Sequence, residues 1–275
     1  LGAADIAIPG RPFAVAGNLL DQKNAQAVAS SSMPLRITDA DAELPLIPPV
    51  VESPIFDPCN VPPEDRTRAQ MFPVSGNHID AVVIWMNSVR TTPVKVTARL
   101  YRAEKINDFT PGAPAVAEAE AIVHPGTGQP VRFEFNAMIE PGALYWVNLP
   151  ALPELSVAMS SRYLPGLYLK QDGCYIDERN FCFEVFPEQR VFGAANVLND
   201  STRANRWPDL WLSDPAQPLP QQLEIIPPDA IECSRIELIF DTNLDRLGAA
   251  GPATECVRDY ELAVYVGGKW QTVAT

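Results

Sequence analysis

The chain has 275 residues, 34 of them Asp or Glu against 21 Lys or Arg, for a net charge of −13. That charge repels nucleic-acid backbones and anionic lipid, and no run approaches the roughly 18 consecutive apolar residues of a membrane span, so neither partner is expected. Twenty-eight prolines against 15 glycines exclude long helices, because proline lacks the amide donor a helix interior needs; the composition points to a soluble all-β protein, cytoplasmic or exported.

Residues 1–50 read as irregular. Pro9, Gly10, Pro12, Gly17, the serines 30 to 32 and Pro34 interrupt every helical window except Leu19 to Val28, which predicts one weak helix. From about residue 51 to 190 the hydrophobic period becomes two, the signature of a half-buried strand. Ile79, Ala81, Val83 and Trp85 are expected to share one face of the first clear strand. Val94, Val96, Ala98 and Leu100 line the next, with Lys95, Thr97 and Arg99 facing out.

The Ala-Glu alternation from Ala115 to Val123 is readable as helix by propensity or strand by spacing. Val131, Phe133 and Phe135 alternate with Arg132, Glu134 and Asn136, and the turn at Pro141-Gly142 leads into the apolar run Leu144 to Leu149. Trp85, Tyr145 and Trp146 fall on these strands and are expected in the core. A second block, 191–275, offers Leu223 and Ile225, then Ile236, Leu238 and Phe240, then Tyr260, Leu262, Val264 and Val266, closed by a Gly267-Gly268 hairpin. Short strands without intervening amphipathic helices indicate two antiparallel β-sandwich domains of jelly-roll type.

Chemistry-bearing motifs are sparse. The five cysteines, Cys59, Cys174, Cys182, Cys233 and Cys256, form no CxxC pair, which argues against a zinc site; the segment between Cys174 and Cys182 reads as a hairpin. The two histidines, His78 and His124, sit beside turn signals. No dinucleotide or phosphate-binding glycine loop and no G-x-S-x-G elbow is present, so no nucleotide or flavin cofactor is expected within this chain. The acidic pairs Glu64-Asp65, Asp177-Glu178 and Asp241 with Asp245 are what chance supplies among 34 acids.

The segment from Phe192 to Phe240 resembles the discoidin, or coagulation-factor C-type, galactose-binding-like family. Asn196 to Asp200 fill the family's first turn, with Ser201 in place of the usual glycine. Trp211 with Ser213-Asp214 fills the second, and Pro220 to Ile225 the strand that follows, with Gln222 in place of a common aromatic. Family members often open with a strand ending A-S-S, which Ala27 to Ser31 matches. The resemblance implies a discontinuous C-terminal sandwich, in which Ala25 to Ser31 pairs beside the strands after Asn196 and the 51–190 domain is inserted. It further implies a calcium site at Asp200, an ion that takes oxygen ligands. In the same loop Arg203, Arg206, Trp207, Asp209 and Trp211 become candidates for holding a carbohydrate.

Runs such as WPDLWLSDPAQPLPQ, LIFDTNLD, ECVRDYELAVYVGGKW and GALYWVNLPALP look like the C-terminal accessory region of bacterial FAD-dependent oxidoreductases. That resemblance implies a chain with no catalytic residue of its own, serving a catalytic domain or subunit that holds FAD elsewhere. Three functions follow for testing: docking or carbohydrate-binding accessory region, stand-alone carbohydrate-binding module, and glycoside hydrolase.

Overall fold

The computed structural model describes residues 24–38, 67–103, 114–150, 152, 154–160, 164, 166–171, 174–176, 179–198, 207–232, 236, 238–240 and 257–275. Among these the protein is all-β, as composition predicts, with every strand pairing antiparallel and a single 3-10 turn, Ala194–Leu198, in place of any helix. Residue contacts divide the chain into two units, one within Val15–Ala230 and one containing Ile231–Thr275.

The larger unit holds two sheets. Six strands form the first, in the order β12 (Cys174–Ile176), β11 (Tyr168–Gln171), β3 (Thr67–Val74), β8 (Ala143–Pro150), β5 (Val94–Ala103) and β6 (Ala117–Val123). The second runs β2 (Arg36–Ile37), β14 (Phe183–Phe186), β4 (His78–Ser88) and β7 (Gly126–Met138), and β9 (Leu155–Val157) takes over the edge of β4 where β14 leaves it. At that handover Trp85 N donates to Cys182 O, Cys182 N to Ala158 O and Ala158 N to Trp85 O. The chain then leaves the sheet as the short pair β10 (Met159–Ser160) and β13 (Asn180–Phe181).

One apolar core lies between the two sheets. Phe72, Val74, Val96, Leu100, Tyr145 and Val147 come from the first sheet, and Ile79, Val82, Ile84, Phe133, Phe183 and Val185 from the second. Phe72 and Phe183 touch across the gap with ring centroids 5.8 Å apart. The other face of the six-stranded sheet is apolar as well: Ala69, Met71, Ala103, Leu144 and Trp146 form a second buried cluster, and Lys170 Nζ lies 5.5 Å from the Trp146 ring centre. Burial on both faces explains why Leu144 to Leu149 reads as an unbroken apolar run with no alternation.

Three local expectations are corrected. Ile79 does not share a face with Ala81, Val83 and Trp85, because the β4–β7 register slips between Ile79 and Ala81; Ile79 joins Val82, Ile84 and Met86 in the core instead. Such a bulge adds one residue to a strand and reverses the facing of everything beyond it. The helix over Leu19 to Val28 is absent from its described part: Asn24 has φ 52 and Gln26–Ala29 is a strand, β1. Its first residues lie outside those described. Tyr175 to Phe181 is no hairpin, since β12 pairs with β11 while β13 pairs with β10.

The ambiguous alanine-glutamate stretch is strand β6. At an edge, alanines pack inward while Glu118 and Glu120 reach Arg99 and Lys95 of β5 at 2.7 and 2.6 Å, so a good neighbour overrides helical propensity. Arg99 has its pKa raised because Glu118 accepts its hydrogen bond.

In the smaller unit, β16 (Leu262–Val266) and β17 (Lys269–Ala274) form a two-stranded sheet. Gly267 and Gly268 take φ 60 and 80 at its turn, the left-handed conformation that a two-residue hairpin turn of this hand requires at both positions. Ile236, Leu238 and Phe240, expected in a strand, are not in one; the Phe240 ring rests on Tyr260 at 5.4 Å.

Candidate functional site

The A-S-S segment and the loop after Asn196 are tied together by hydrogen bonds. Strand β1 runs antiparallel to β15 (Leu223–Ile226), with Gln26 opposite Ile226 and Ala29 opposite Leu223. Beyond the strand, Ser30 N donates to Gln222 O and Gln222 N to Ser30 Oγ, both at 2.9 Å. The hydroxyls of Ser30 and Ser31 both donate to Gln221 Oε1. Asp214 N donates to Ser31 Oγ at 3.0 Å, and Met33 N to Leu212 O at 2.9 Å. Two small hydroxyl residues in succession suit this job, because each hydroxyl donates to the Gln221 side chain and accepts from a backbone N–H, that of Gln222 or Asp214.

The candidate sugar-binding tryptophans are anchored in the same lattice. Trp211 Nε1 donates to Ser31 O at 2.9 Å, and Trp207 Nε1 to Asn196 Oδ1 at 3.2 Å while its ring packs against the main core beside Leu212. Asn196 then donates from Nδ2 to Val191 O and Leu210 O, each at 2.8 Å, so one side-chain amide holds the 3-10 turn, the following loop and the indole. Asp209, half-buried between the two tryptophans, has φ 52, a left-handed conformation that Asp tolerates better than most residues. Asp200, Arg203 and Arg206 lie outside the described residues, as do Glu64, Asp65, Asp177, Asp241 and Asp245.

Asn196→Ala is expected to destabilise the larger unit by about 2 kcal/mol, because it strands two carbonyls and an indole N–H in a half-buried loop. Urea unfolding measures the loss. Trp207 fluorescence should shift to the red in the folded state.

His78 Nε2 lies 3.7 Å from Asp80 Oδ1 at an exposed strand start. Among the described residues no group of three His, Cys, Asp or Glu is placed to hold a metal ion, and no helix is long and apolar enough to cross a membrane. Cys182 is buried.

Exposed apolar side chains occur in both units, among them Val89, Met138 and Leu219 in the larger one and a denser group in the smaller. Val257, Tyr260, Tyr265, Val266, Trp270 and Val273 are each between 45% and 61% exposed. Monomeric surfaces carry single exposed apolar residues routinely; four of these six, Tyr265, Val266, Trp270 and Val273, fall within one short hairpin. Sequence reading placed Leu262, Val264 and Val266 on an ordinary strand and did not single out Tyr265 or Trp270. The available signal was the double-glycine turn flanked by aromatic residues on both sides.

In comparisons with known proteins, no family model matches this chain and no curated protein matches it.

Proposed function

We propose that this chain is a non-catalytic accessory region that docks on the catalytic domain of a larger FAD-dependent oxidoreductase, with the β16–β17 hairpin in the contact. The observation behind this reading is the hairpin itself. A two-stranded sheet is marginally stable alone in water, and this one leaves every residue of β17 from Lys269 to Val273 exposed while displaying Val266, Trp270 and Val273. A partner surface that covers it removes that apolar area from water. FAD would belong to the partner, since this chain holds no dinucleotide loop. The carbohydrate-binding alternative has less support in the loop first considered for it, where the Trp207 and Trp211 N–H groups are both spent on internal acceptors.

The test isolates tagged chain under native conditions from the cells that make it. A flavoprotein is expected to co-purify, detected by its flavin absorbance, and to be lost from a Val266→Asp, Val273→Asp double variant that keeps the sandwich intact. Flavin-free material from the unmodified chain, or equal flavin with the variant, would sink the docking reading.

A further inference from the structure

Hairpin β16–β17 gathers its two aromatic side chains on one face. The register sets Tyr265 opposite Trp270, Ala263 opposite Thr272 and Val264 opposite Gln271. Strand alternation therefore puts Ala263, Tyr265, Trp270 and Thr272 on one face and Val264, Val266, Lys269 and Gln271 on the other, up to the register shift between Leu262 and Ala263; Glu261, just before β16, is brought to the first face by its hydrogen bond from Thr272. The first face carries the aromatic pair and the carboxylate, the second two valines with Lys269 and Gln271.

On the aromatic face the Tyr265 and Trp270 rings meet at 61° with centroids 5.3 Å apart, both more than half exposed. They make two walls of a corner. One step along, about 6.6 Å away, the Ala263 methyl leaves a low floor. At the far side the Thr272 hydroxyl donates to Glu261 Oε1 at 2.6 Å, which holds the carboxylate over the hairpin. Two aromatic walls, a low floor and an anchored carboxylate define a short trough with one negative charge.

We propose that this trough binds the guanidinium of an arginine presented by a partner protein. A planar cation stacks on an indole face and is weakly hydrated, so it loses little on leaving water. Its forked N–H donors meet the lone pairs that Thr272 leaves open on Glu261. The charge is complementary: the chain carries −13, and the nearest arginine in sequence, Arg258, is held by Asp259 at 2.8 Å. Rings inclined at 61° offer no flat platform for a sugar, and a carboxylate beside them favours a cation over a neutral ligand. The docking reading enters only in naming a protein as the carrier of the arginine; the trough is tested without any partner.

The experiment titrates N-acetyl-arginine methylamide into the full chain and follows backbone amide and indole N–H resonances by NMR. A saturable shift is expected at Trp270, Tyr265 and Ala263, with a dissociation constant on the order of 1 mM. N-acetyl-citrulline methylamide, of the same shape but uncharged, should leave these resonances in place. Glu261→Gln keeps the Thr272 bond and should weaken binding about threefold, the scale of an exposed ion pair, with the hairpin's amide pattern unchanged. No saturable shift, or equal shifts from the charged and uncharged compounds, overturns the proposal. Arginine binding by a chain that co-purifies with no flavoprotein would keep the trough and remove only the docking reading.

Discussion

Phe72→Ala is expected to lower the stability of the larger unit by about 4 kcal/mol, the scale of emptying a buried aromatic site. Phe72 is fully buried on β3 of the six-stranded sheet and meets Phe183 on β14 of the facing sheet. Its ring thus closes the gap between layers, where little can collapse into the space it leaves because both neighbouring backbones are fixed by ladder hydrogen bonds. Urea unfolding should show a lower midpoint with an unchanged slope, since the surface exposed on unfolding stays the same. A loss under about 1 kcal/mol would mean that the layers do not interlock at this ring.

Gln70→Leu is expected to cost about 3 kcal/mol even though it puts an apolar side chain of similar size into a fully buried position. Gln70 Nε2 donates to Asn180 Oδ1 at 3.0 Å and to Tyr168 O at 3.2 Å, and its Oε1 accepts from Phe181 N at 2.8 Å. Strand β3 is thereby held to β13 at the point where the chain has left the sheet. Leucine leaves the Phe181 amide and the Asn180 carbonyl buried without this partner, and burying an unpaired polar group is what costs. The check is a double-mutant cycle with Asn180→Ala: removing Asn180 first should make the Gln70 change milder by about 1 kcal/mol. Additive losses would show that the amide network does not act as a unit.

The same contrast separates what was legible in the sequence from what was not. The all-β class follows from proline content and period two, and both are local: proline forbids the helix through its own missing donor, and alternation is imposed by the pleat. For that reason Val96, Ala98 and Leu100, and Val131, Phe133 and Phe135, lie buried as their spacing implies. The pairing of the A-S-S segment with the strand after Asn196 was implied by the family resemblance alone; the structure shows β1 against β15, with Ser30 and Ser31 hydroxyls bonding backbone across a chain separation of about 190 residues. The site was less legible: Trp207 and Trp211 read first as packing residues and second as a sugar platform, and the positions of Asn196 Oδ1 and Ser31 O turn their N–H groups inward.

Tertiary structure decided the rest. Ile79, Ala81, Val83 and Trp85 are all apolar at period two, yet a bulge against β7 separates Ile79 from the rest, because which residue is skipped depends on the partner strand. Alanine and glutamate left Ala117–Val123 undecided until β5 supplied Lys95 and Arg99 opposite the acids. Composition and local periodicity determined that this chain builds strands rather than helices, since both act through each residue's own backbone and its immediate neighbours. Which faces meet, and which apolar side chains of the β16–β17 hairpin stay in water, depends on residues far apart in sequence, and burial is a property of the assembled surface that no local pattern contains.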